Sequence, residues 1–415
     1  MAEPARPLSI GERVAFYRRQ QRLTQHGLAQ KLNRSVGWVR NIEQGRRQVD
    51  STTVILELAA ALGVEPNKLT GRPLFPPPSG PNMPDPSGVL ADLRRVLLHY
   101  DGIHGLDVPD DRPPRPTVEL EHEVAFAEQT YRSEPRNFSA VVWMLPELIR
   151  DARHTARQAE ENTTERRRAW GVLTRLYCLT TGALWQWGDD DLGWIAADRS
   201  ITAAEQTDDP LLMLVGIRTM QQPLLGKGHL GEVVELVDAA GRVIAAGKSK
   251  DAGPEQLVIL GGAQLAGAFA AARARDAAEH ERLRHLAEQT AGRLGDDRLV
   301  FGHNFGPGDV ALQHVGELVE LHQPAKALRR AEQLPADPLP QVNRRAFHRI
   351  HQAKARFLQR KDREATELLL EAWEIAPELT PHEQMTFEMV RAMVERARYR
   401  YNPHLRTLAT KLGIA

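Results

Sequence analysis

Apolar residues recur every three or four positions along most of the chain, the spacing of one face of an α-helix. In the first 70 residues these runs are short and carry helix start signals. Ser9 and Glu12 form a capping box, Thr24 precedes a second run, and Ser35 precedes a third that ends before Gly45. A fourth run, DSTTVILELAAALGV, begins at Asp50 or Ser51, and EPNKL follows it. This part of the sequence predicts a head of five short helices.

From residue 89 onward the helical spacing continues, and signals for strands are nearly absent. Segments rich in glycine, aspartate and proline, such as WGDDDLG, TDDP and LPADPLP, interrupt it about every 15 to 20 residues. Successive helices therefore form pairs of about 34 to 42 residues, the length of tetratricopeptide and similar repeats. The pattern predicts an all-α solenoid whose units lie at about 169–210, 210–246, 254–295, 309–334 and 343–377.

A segment rich in proline, GRPLFPPPSGPNMPDPSG, separates the two patterns and is typical of a semi-rigid extended tether. The helices that follow it are expected to cap the solenoid or to form a dimer contact. The predicted domains are a head at 1–72, a linker at 73–88, a capping or dimerisation segment at 89–165, and repeats at 166–415.

Charge separates the head from the rest of the chain. The protein has 54 Lys and Arg against 54 Asp and Glu, yet residues 1–75 carry a net charge of +6 and the remainder −6. This asymmetry favours a small module that binds a polyanion, joined to a regulatory or assembly domain. The most hydrophobic run, Leu257 to Ala271, is shorter than a membrane span and is expected to form a buried helix. One cysteine and the lack of a signal peptide favour the cytoplasm, with no membrane partner.

The head resembles the Xre family of helix-turn-helix domains, which are related to phage repressors. The resemblance lies in L-T-Q-x-x-L-A-x-x-L, then S-x-x-x-V-x-x-I-E-x-G-R-R, then a helix ending in A-L-G-V. It implies a lambda-repressor-like domain whose partner is a double-stranded DNA operator. Arg18 and Glu43 match a buried ion pair that holds the recognition helix in such domains.

The resemblance also implies which residues contact DNA. Contacts to phosphate are expected from Gln25, Arg40, Arg46 and Arg47. Positions that face base edges in the major groove are Ser35, Val36, Gly37, Trp38 and Asn41. Asn41 can pair with adenine, whereas Val36 and Gly37 offer only apolar contact or close approach of the backbone. The Trp38 indole either contacts thymine methyls or packs against protein, and the sequence leaves both open.

The body resembles actinobacterial regulators that join an Xre head to tetratricopeptide repeats. The segments FGPGDVALQHVGELVELHQPAKALRRAEQL and QAKARFLQRKDREATELLLEAWEIAPEL carry this resemblance. Relatives have F-G-P-T-N-V in the first segment, where this chain has Gly308 and Asp309. Similarity to the peptide-sensing regulators of Gram-positive bacteria implies that the concave groove of the repeats binds a peptide or a small molecule. A homodimer formed through the body is expected because repressor-like heads bind DNA as pairs.

Polar residues on the helices that are expected to line this groove are the candidate ligand contacts: Arg175, Tyr177, Arg218, Gln222, Gln264, Asn304 and His314. The alternative is an adaptor whose body binds a partner protein, with DNA binding secondary. An enclosed groove favours the sensor, and an open groove with an exposed apolar stripe favours the adaptor.

The sequence contains no recognisable catalytic constellation, so neither enzymatic activity nor a cofactor is expected. His348 and His351 stand one helical turn apart but lack a third ligand at suitable spacing, so no metal site is predicted from them. Cys178 is expected to be a packing residue, with a redox sensor as the alternative. Three tryptophans are expected to pack rather than to form a ligand cage: Trp185, Trp187 and Trp194.

Overall fold

The fold is taken from a computed structural model that describes residues 9–47, 49, 52–64, 69, 87–99, 112–161, 163–247, 252–334, 341–396 and 403–414. The chain divides into two units, one of residues 1–78 with 382–415 and the other of residues 79–381. Within the described residues there are twenty helices and one pair of short strands. The predicted all-α fold class is therefore confirmed.

The first unit begins with four short helices: α1 Ile10–Gln20, α2 Gln25–Lys31, α3 Val36–Glu43 and α4 Thr52–Leu62. The start signals of the first three are confirmed. Ser9 and Glu12 form the capping box, Thr24 accepts from the Gly27 amide, and Ser35 accepts from the Trp38 amide. The predicted caps of α4 and all of the predicted fifth helix except Leu69 lie outside the described residues.

The core of the head places α3 against α1. Leu28, Val39, Ile42 and Leu58 are almost fully buried. A Cβ atom on Gly11 would lie 2.1 Å from the Ile42 carbonyl oxygen, so only glycine permits this approach of α1 to α3. One face of α3 is thus fixed in the core, and the other is left for contacts with a partner. The unit also contains α19 Gln384–Arg396 and α20 Pro403–Lys411.

The second unit consists of helices that pair with their neighbours in the chain. It starts with α5 Ser87–Leu97, α6 Thr117–Ser133, α7 Asn137–Val141 and α8 Leu145–Gln158. Five pairs follow: α9 Thr164–Trp187 with α10 Asp190–Glu205, α11 Pro210–Lys227 with α12 Leu230–Ala245, α13 Pro254–Ala274 with α14 Ala277–Leu294, α15 Pro307–Glu320 with α16 Pro324–Glu332, and α17 Val342–Leu358 with α18 Asp362–Ile375. These bounds follow the predicted repeat units closely.

As the sequence predicted, glycines end some of these helices and aspartates cap the starts of others. Gly188 and Gly228 close α9 and α11 in the left-handed conformation, at φ 83° and 79°. The carboxylates of Asp189 and Asp209 accept from backbone amides at the starts of α10 and α11. The predicted break at LPADPLP falls at residues 334–340, of which only 334 is described.

Helix α13 is long and apolar enough to cross a membrane by length and composition, yet 78% of its most apolar window is buried within the protein. Its small residues allow close contacts. A Cβ on Gly267 would lie 2.7 Å from Val237 Cγ2, and one on Gly261 would overlap the Phe305 ring. The expected buried helix with small residues at its contacts is confirmed.

A two-stranded hairpin, β1 Arg298–Val300 and β2 His303–Phe305, lies between α14 and α15 and was not predicted. Phe301 and Gly302 connect the strands with φ 43° and 80°. Two positive φ values match the tightest hairpin turn, which follows the natural twist of the strands. Strands of three residues are too short to show an alternating pattern.

The last helix pair of this unit contacts its first helices. Asn137 Nδ2 donates to Asn343 Oδ1 at 2.8 Å, and the Ser139 amide donates to Glu378 Oε2 at 3.0 Å. The Trp185 and Phe347 rings lie 5.6 Å apart. These contacts join α17 and the residues after α18 to α7 and α9, so the row of helix pairs returns to its own start.

Candidate functional site

Helix α3 separates its apolar side chains from the residues predicted to contact DNA. Val39 and Ile42 are buried in the head core. The residues on its outer face and in the following turn are exposed: Ser35, Gly37, Arg40, Asn41, Arg46 and Arg47. Val36 and Trp38 are half-buried at the edge of this face. The fold thus brings eight of the nine predicted DNA contacts onto α3, its cap and the turn that follows it.

Trp38 lies between two arginines. Arg34 Cζ is 5.5 Å and Arg47 Cζ 5.8 Å from the centroid of the indole, and the ring also packs against the head core. Each cation–π contact of this kind contributes about 0.5–1 kcal/mol at an exposed site. Trp38 thus makes packing contacts with the head and lies against Arg47, while its contact with DNA stays a prediction.

Glu43 connects three helices. Arg18 donates from Nε to Glu43 Oε1 at 2.6 Å and from Nη2 to Oε2 at 3.1 Å, which confirms the expected ion pair. Gln25, which the sequence assigned to a phosphate, donates from Nε2 to Glu43 Oε2 at 2.7 Å. The Arg18 side chain also donates to the Leu23 carbonyl at 2.7 Å. These bonds fix the start of α2 and the end of α3 relative to α1.

The surface around α3 is positively charged. Residues 34–47 contain four arginines and one carboxylate, that of Glu43, whose side chain is only 6% exposed and is neutralised by Arg18. Arg40, Arg46 and Arg47 are exposed. An exposed set of guanidinium groups beside the face of a helix suits the phosphate backbone of a nucleic acid.

The candidate ligand contacts of the second unit fall into separate environments. Arg175 forms a two-bond ion pair with Glu128, at 3.0 and 2.8 Å, and lies over the Phe301 ring. Tyr177 is 3% exposed, and its hydroxyl accepts from Arg153 at 2.8 Å. These contacts hold both side chains in structural roles within the body.

The next three candidates differ in exposure and in bonding. Gln264 is buried and accepts from the Thr290 hydroxyl at 2.8 Å. Gln222 is half-buried on α11. His314 faces Glu317 with Nδ1 3.3 Å from Oε2, and it lines a cavity of about 630 Å³ between α14, α15 and α16.

Arg218 and Asn304 belong to a polar group around the hairpin. Burial lowers the pKa of the Arg218 guanidinium to about 10. The pKa of His303 falls to about 3 through burial and the nearby charges of Arg218 and Arg344. Arg344 donates to the Asn304 carbonyl at 3.2 Å, and Asn304 Nδ2 is buried without a partner among the described residues. Among the described residues no carboxylate pairs with Arg218, and burial is the one cause of its pKa shift.

The departure from F-G-P-T-N-V has a structural basis. Asp309 is 1% exposed and forms an ion pair with Arg344. Asp297 Oδ1 accepts from the amides of Gly308 and Asp309 at 2.9 and 3.4 Å, and so caps α15. A Cβ on Gly308 would lie 2.2 Å from Asp297 Oδ2. Glycine and aspartate at these positions therefore fit the carboxylate cap and the arginine that this chain carries.

Packing suppresses the reactivity of Cys178, His348 and His351, in line with the packing role that the sequence predicted for Cys178. The Thr219 hydroxyl donates to Cys178 Sγ at 3.0 Å, and burial raises the pKa of the thiol to about 12. Burial also lowers the pKa of His348 and His351 to about 4. A thiol that stays protonated is a poor nucleophile, which supports a packing role for Cys178.

The three tryptophans contact aromatic rings within the second unit. Trp187 stacks on Phe138 with centroids 4.5 Å apart, and Trp194 meets His229 edge-on at 5.9 Å. Trp185 contacts Phe347 as described above. All three therefore have the packing contacts that the sequence predicted.

The sequence analysis did not predict the contact of Arg34 with Trp38 in the head. It also did not predict that His280 and Glu317 lie together with His314. The i, i+3 spacing of His314 and Glu317 was a usable signal, because such residues share a helix face. His280 is 34 positions before His314, and only the packing of α14 on α15 brings the two together.

Comparison with known proteins gives one family match. A helix-turn-helix domain matches residues 9–70. This match and the caps of α1, α2 and α3 confirm the predicted helix-turn-helix head. No curated protein matches the chain.

Among solved structures, the crystal structure of Bacillus thuringiensis PlcR in complex with the peptide PapR7 and DNA is similar to the chain. The similarity covers 88% of this chain and 98% of that chain, with 12% identity and a TM-score of 0.34. A TM-score this low does not establish a common arrangement in space, so no functional conclusion follows from it.

Proposed function

We propose that the chain is a sequence-specific, DNA-binding transcription regulator that acts as a cytoplasmic homodimer and whose repeats sense a ligand. The observation that carries the DNA-binding part is the exposed face of α3 within a matched helix-turn-helix domain. Its polar side chains are directed away from a fixed core, and its arginines are exposed. These are the properties of a helix that enters the major groove.

Affinity and sequence preference are assigned to different residues. Arg40, Arg46 and Arg47 supply contacts to phosphate, which strengthen binding to any sequence. Asn41 is exposed and offers both a donor and an acceptor, as a bidentate contact to adenine requires. The Gln25 side chain donates a hydrogen bond to Glu43 in the free protein. To contact a phosphate it must either break this bond or donate its second hydrogen to the phosphate.

For the repeats we propose a ligand that carries an anionic group, such as the carboxylate of a peptide or of a small molecule. Arg218 carries a charge that no described carboxylate offsets, and this charge, after burial, contributes to the lowered pKa values of His303 and Arg344. A partly buried, uncompensated guanidinium is stabilised by an anion. The contacts that join α17 and Glu378 to α7 tie the last helix pair to the start of this unit, which supports a sensor over an adaptor with an open row of helices.

Selection of DNA by the full chain tests the first part of the proposal. The purified protein is incubated with random duplexes, and bound DNA is amplified and sequenced. We expect enrichment of a pseudo-palindromic site, with half-sites about 34–36 Å apart or a multiple of that distance. Enrichment of no sequence contradicts specific binding.

The second part is tested on the operator found in this way. Affinity is measured with and without the low-molecular-weight fraction of a bacterial extract, for the wild type and for Arg218→Gln. A sensor responds to the extract, and the response is lost in the variant. No response in the wild type, together with capture of a protein by the body, supports the adaptor instead.

A further inference from the structure

Two histidines and a glutamate converge at the contact between α14 and α15. His280 Nε2 lies 3.0 Å from Glu317 Oε2, and His314 Nδ1 lies 3.3 Å from the same oxygen. Ligand atoms of all three residues lie within 4.8 Å of one another. His314 and Glu317 share one face of α15, while His280 comes from the first turn of α14.

The carboxylate at the centre has an unmet bonding requirement. Glu317 is fully buried, and its Oε1 atom has no hydrogen-bond partner among the described residues. A buried carboxyl oxygen that has no partner is unfavourable unless a cation or a donor reaches it.

The separations fit a transition metal ion. In a tetrahedral site with bonds of about 2.0–2.1 Å, neighbouring ligand atoms lie about 3.3 Å apart. The separations of His280 Nε2 and His314 Nδ1 from Glu317 Oε2, 3.0 and 3.3 Å, are close to that value. Two imidazoles with one carboxylate form a donor set that suits Zn²⁺ and related divalent ions, and poorly suits Ca²⁺ or Mg²⁺.

The site is also accessible. His280 and His314 line the cavity of about 630 Å³ between α14, α15 and α16, so an ion can enter and keep one position open. Four basic side chains also line this cavity, Arg284, Lys326, Arg329 and Arg330, together with one acidic side chain, Glu281. A positive wall beside the open position favours an anionic fourth ligand over a neutral one.

We infer that His280, His314 and Glu317 form a binding site for a divalent transition metal, with Zn²⁺ the best match, whose fourth position faces this cavity. The inference does not depend on DNA binding. If no metal binds, the three residues are a buried hydrogen-bonded triad that fixes α14 to α15.

The test uses the full chain, purified without a histidine tag and stripped of metal with a chelator that is then removed. Zn²⁺ is titrated against the wild type, His314→Ala, Glu317→Gln and His285→Ala. His285 is an exposed histidine of the same helix as His280 and serves as the matched control. We expect about one tightly bound ion per chain in the wild type and in the control, and binding at least about tenfold weaker in the other two variants.

Wild-type protein that takes up no stoichiometric Zn²⁺, or variants that bind it as tightly as the wild type, would overturn the site. Circular dichroism shows whether each variant keeps its helices. If a variant unfolds, Co²⁺ added to the wild type decides: the intense visible absorption of four-coordinate cobalt supports the site, and the weak absorption of six-coordinate cobalt contradicts it.

Discussion

The Arg18 guanidinium and the Glu43 carboxylate form a two-bond ion pair, at 2.6 and 3.1 Å, inside the DNA-binding head. The two side chains are 10% and 6% exposed. Because Gln25 also donates to Glu43, a single carboxylate connects α1, α2 and α3. The orientation of the recognition helix therefore depends on a charge that makes no direct contact with DNA in our proposal.

Replacement of Glu43 is expected to loosen the recognition helix. Glu43→Ala leaves the Arg18 charge buried without its partner, a change that costs about 3–5 kcal/mol. Hydrogen exchange of the amides of residues 36–43 in the full chain measures this loss. The matched control is Glu57→Ala, which removes the more exposed pair with Arg34 at 3.4 Å and is expected to cost at most about 1 kcal/mol. If the two variants lose amide protection equally, burial does not make the Glu43 ion pair more stabilising than the exposed pair.

Replacement of Trp38 is expected to weaken binding to all DNA. The indole orients Arg47 and packs on the head core, so Trp38→Ala disturbs a phosphate contact and also lowers the stability of the head. Trp38→Phe keeps an aromatic face for the arginines and should retain most of the affinity. Binding is compared on the operator and on random DNA. A loss confined to the operator would instead show that the indole reads bases.

The second unit is expected to lose stability in mild acid. Burial, together with the charges of His351 and Arg349, lowers the pKa of His348 from 6.5 to about 4. Between these values the unfolded chain binds a proton that the folded chain does not, so the stability present above pH 6.5 is lost as the pH falls towards 4. The urea midpoint of the full chain is therefore expected to fall over this range.

Two variants isolate the contribution of His348. His348→Gln cannot titrate and should make the dependence on pH shallower, whereas His285→Gln, at an exposed site, should leave it unchanged. A wild-type midpoint that is constant between pH 6.5 and 4 would refute this account of His348.

The proposed homodimer is expected to depend on the helices that precede the repeats. Phe126 and Trp143 are large apolar side chains that are 62% and 51% exposed, and a dimer interface in this segment would bury them. Phe126→Asp should reduce the mass measured by light scattering at micromolar concentration from two chains to one. The control is Leu299→Asp, on the hairpin, where the native side chain is 44% exposed. A wild type that is already monomeric would contradict the dimer itself.

Helix ends and repeat units could be predicted from the sequence because they depend on local signals. The caps at Ser9, Thr24 and Ser35 and the left-handed glycines Gly188 and Gly228 each act within one turn of the chain. The hairpin at 298–305 was missed because its strands are too short to show a period.

Contacts between distant positions were less accessible to sequence reasoning. The Arg18–Glu43 pair was expected only because the head resembles a known family. Tyr177, a polar residue on a repeat helix, was assigned to a groove, yet its hydroxyl bonds Arg153 within the core. His280 joins His314 and Glu317 through helix packing, which spacing along the chain does not encode.

Binding of the full chain to operator and random DNA, measured against salt concentration, tests the central claim most directly. Arg46→Ala should weaken binding to both DNAs and reduce the slope of log affinity against log salt by about one, because one phosphate contact is lost. Asn41→Ala should cost about 1–3 kcal/mol on the operator and little on random DNA. Arg363→Ala, at an exposed arginine of the second unit, should change neither affinity. If Asn41→Ala and Arg46→Ala leave both affinities unchanged, helix α3 and its following turn are not the DNA-binding surface.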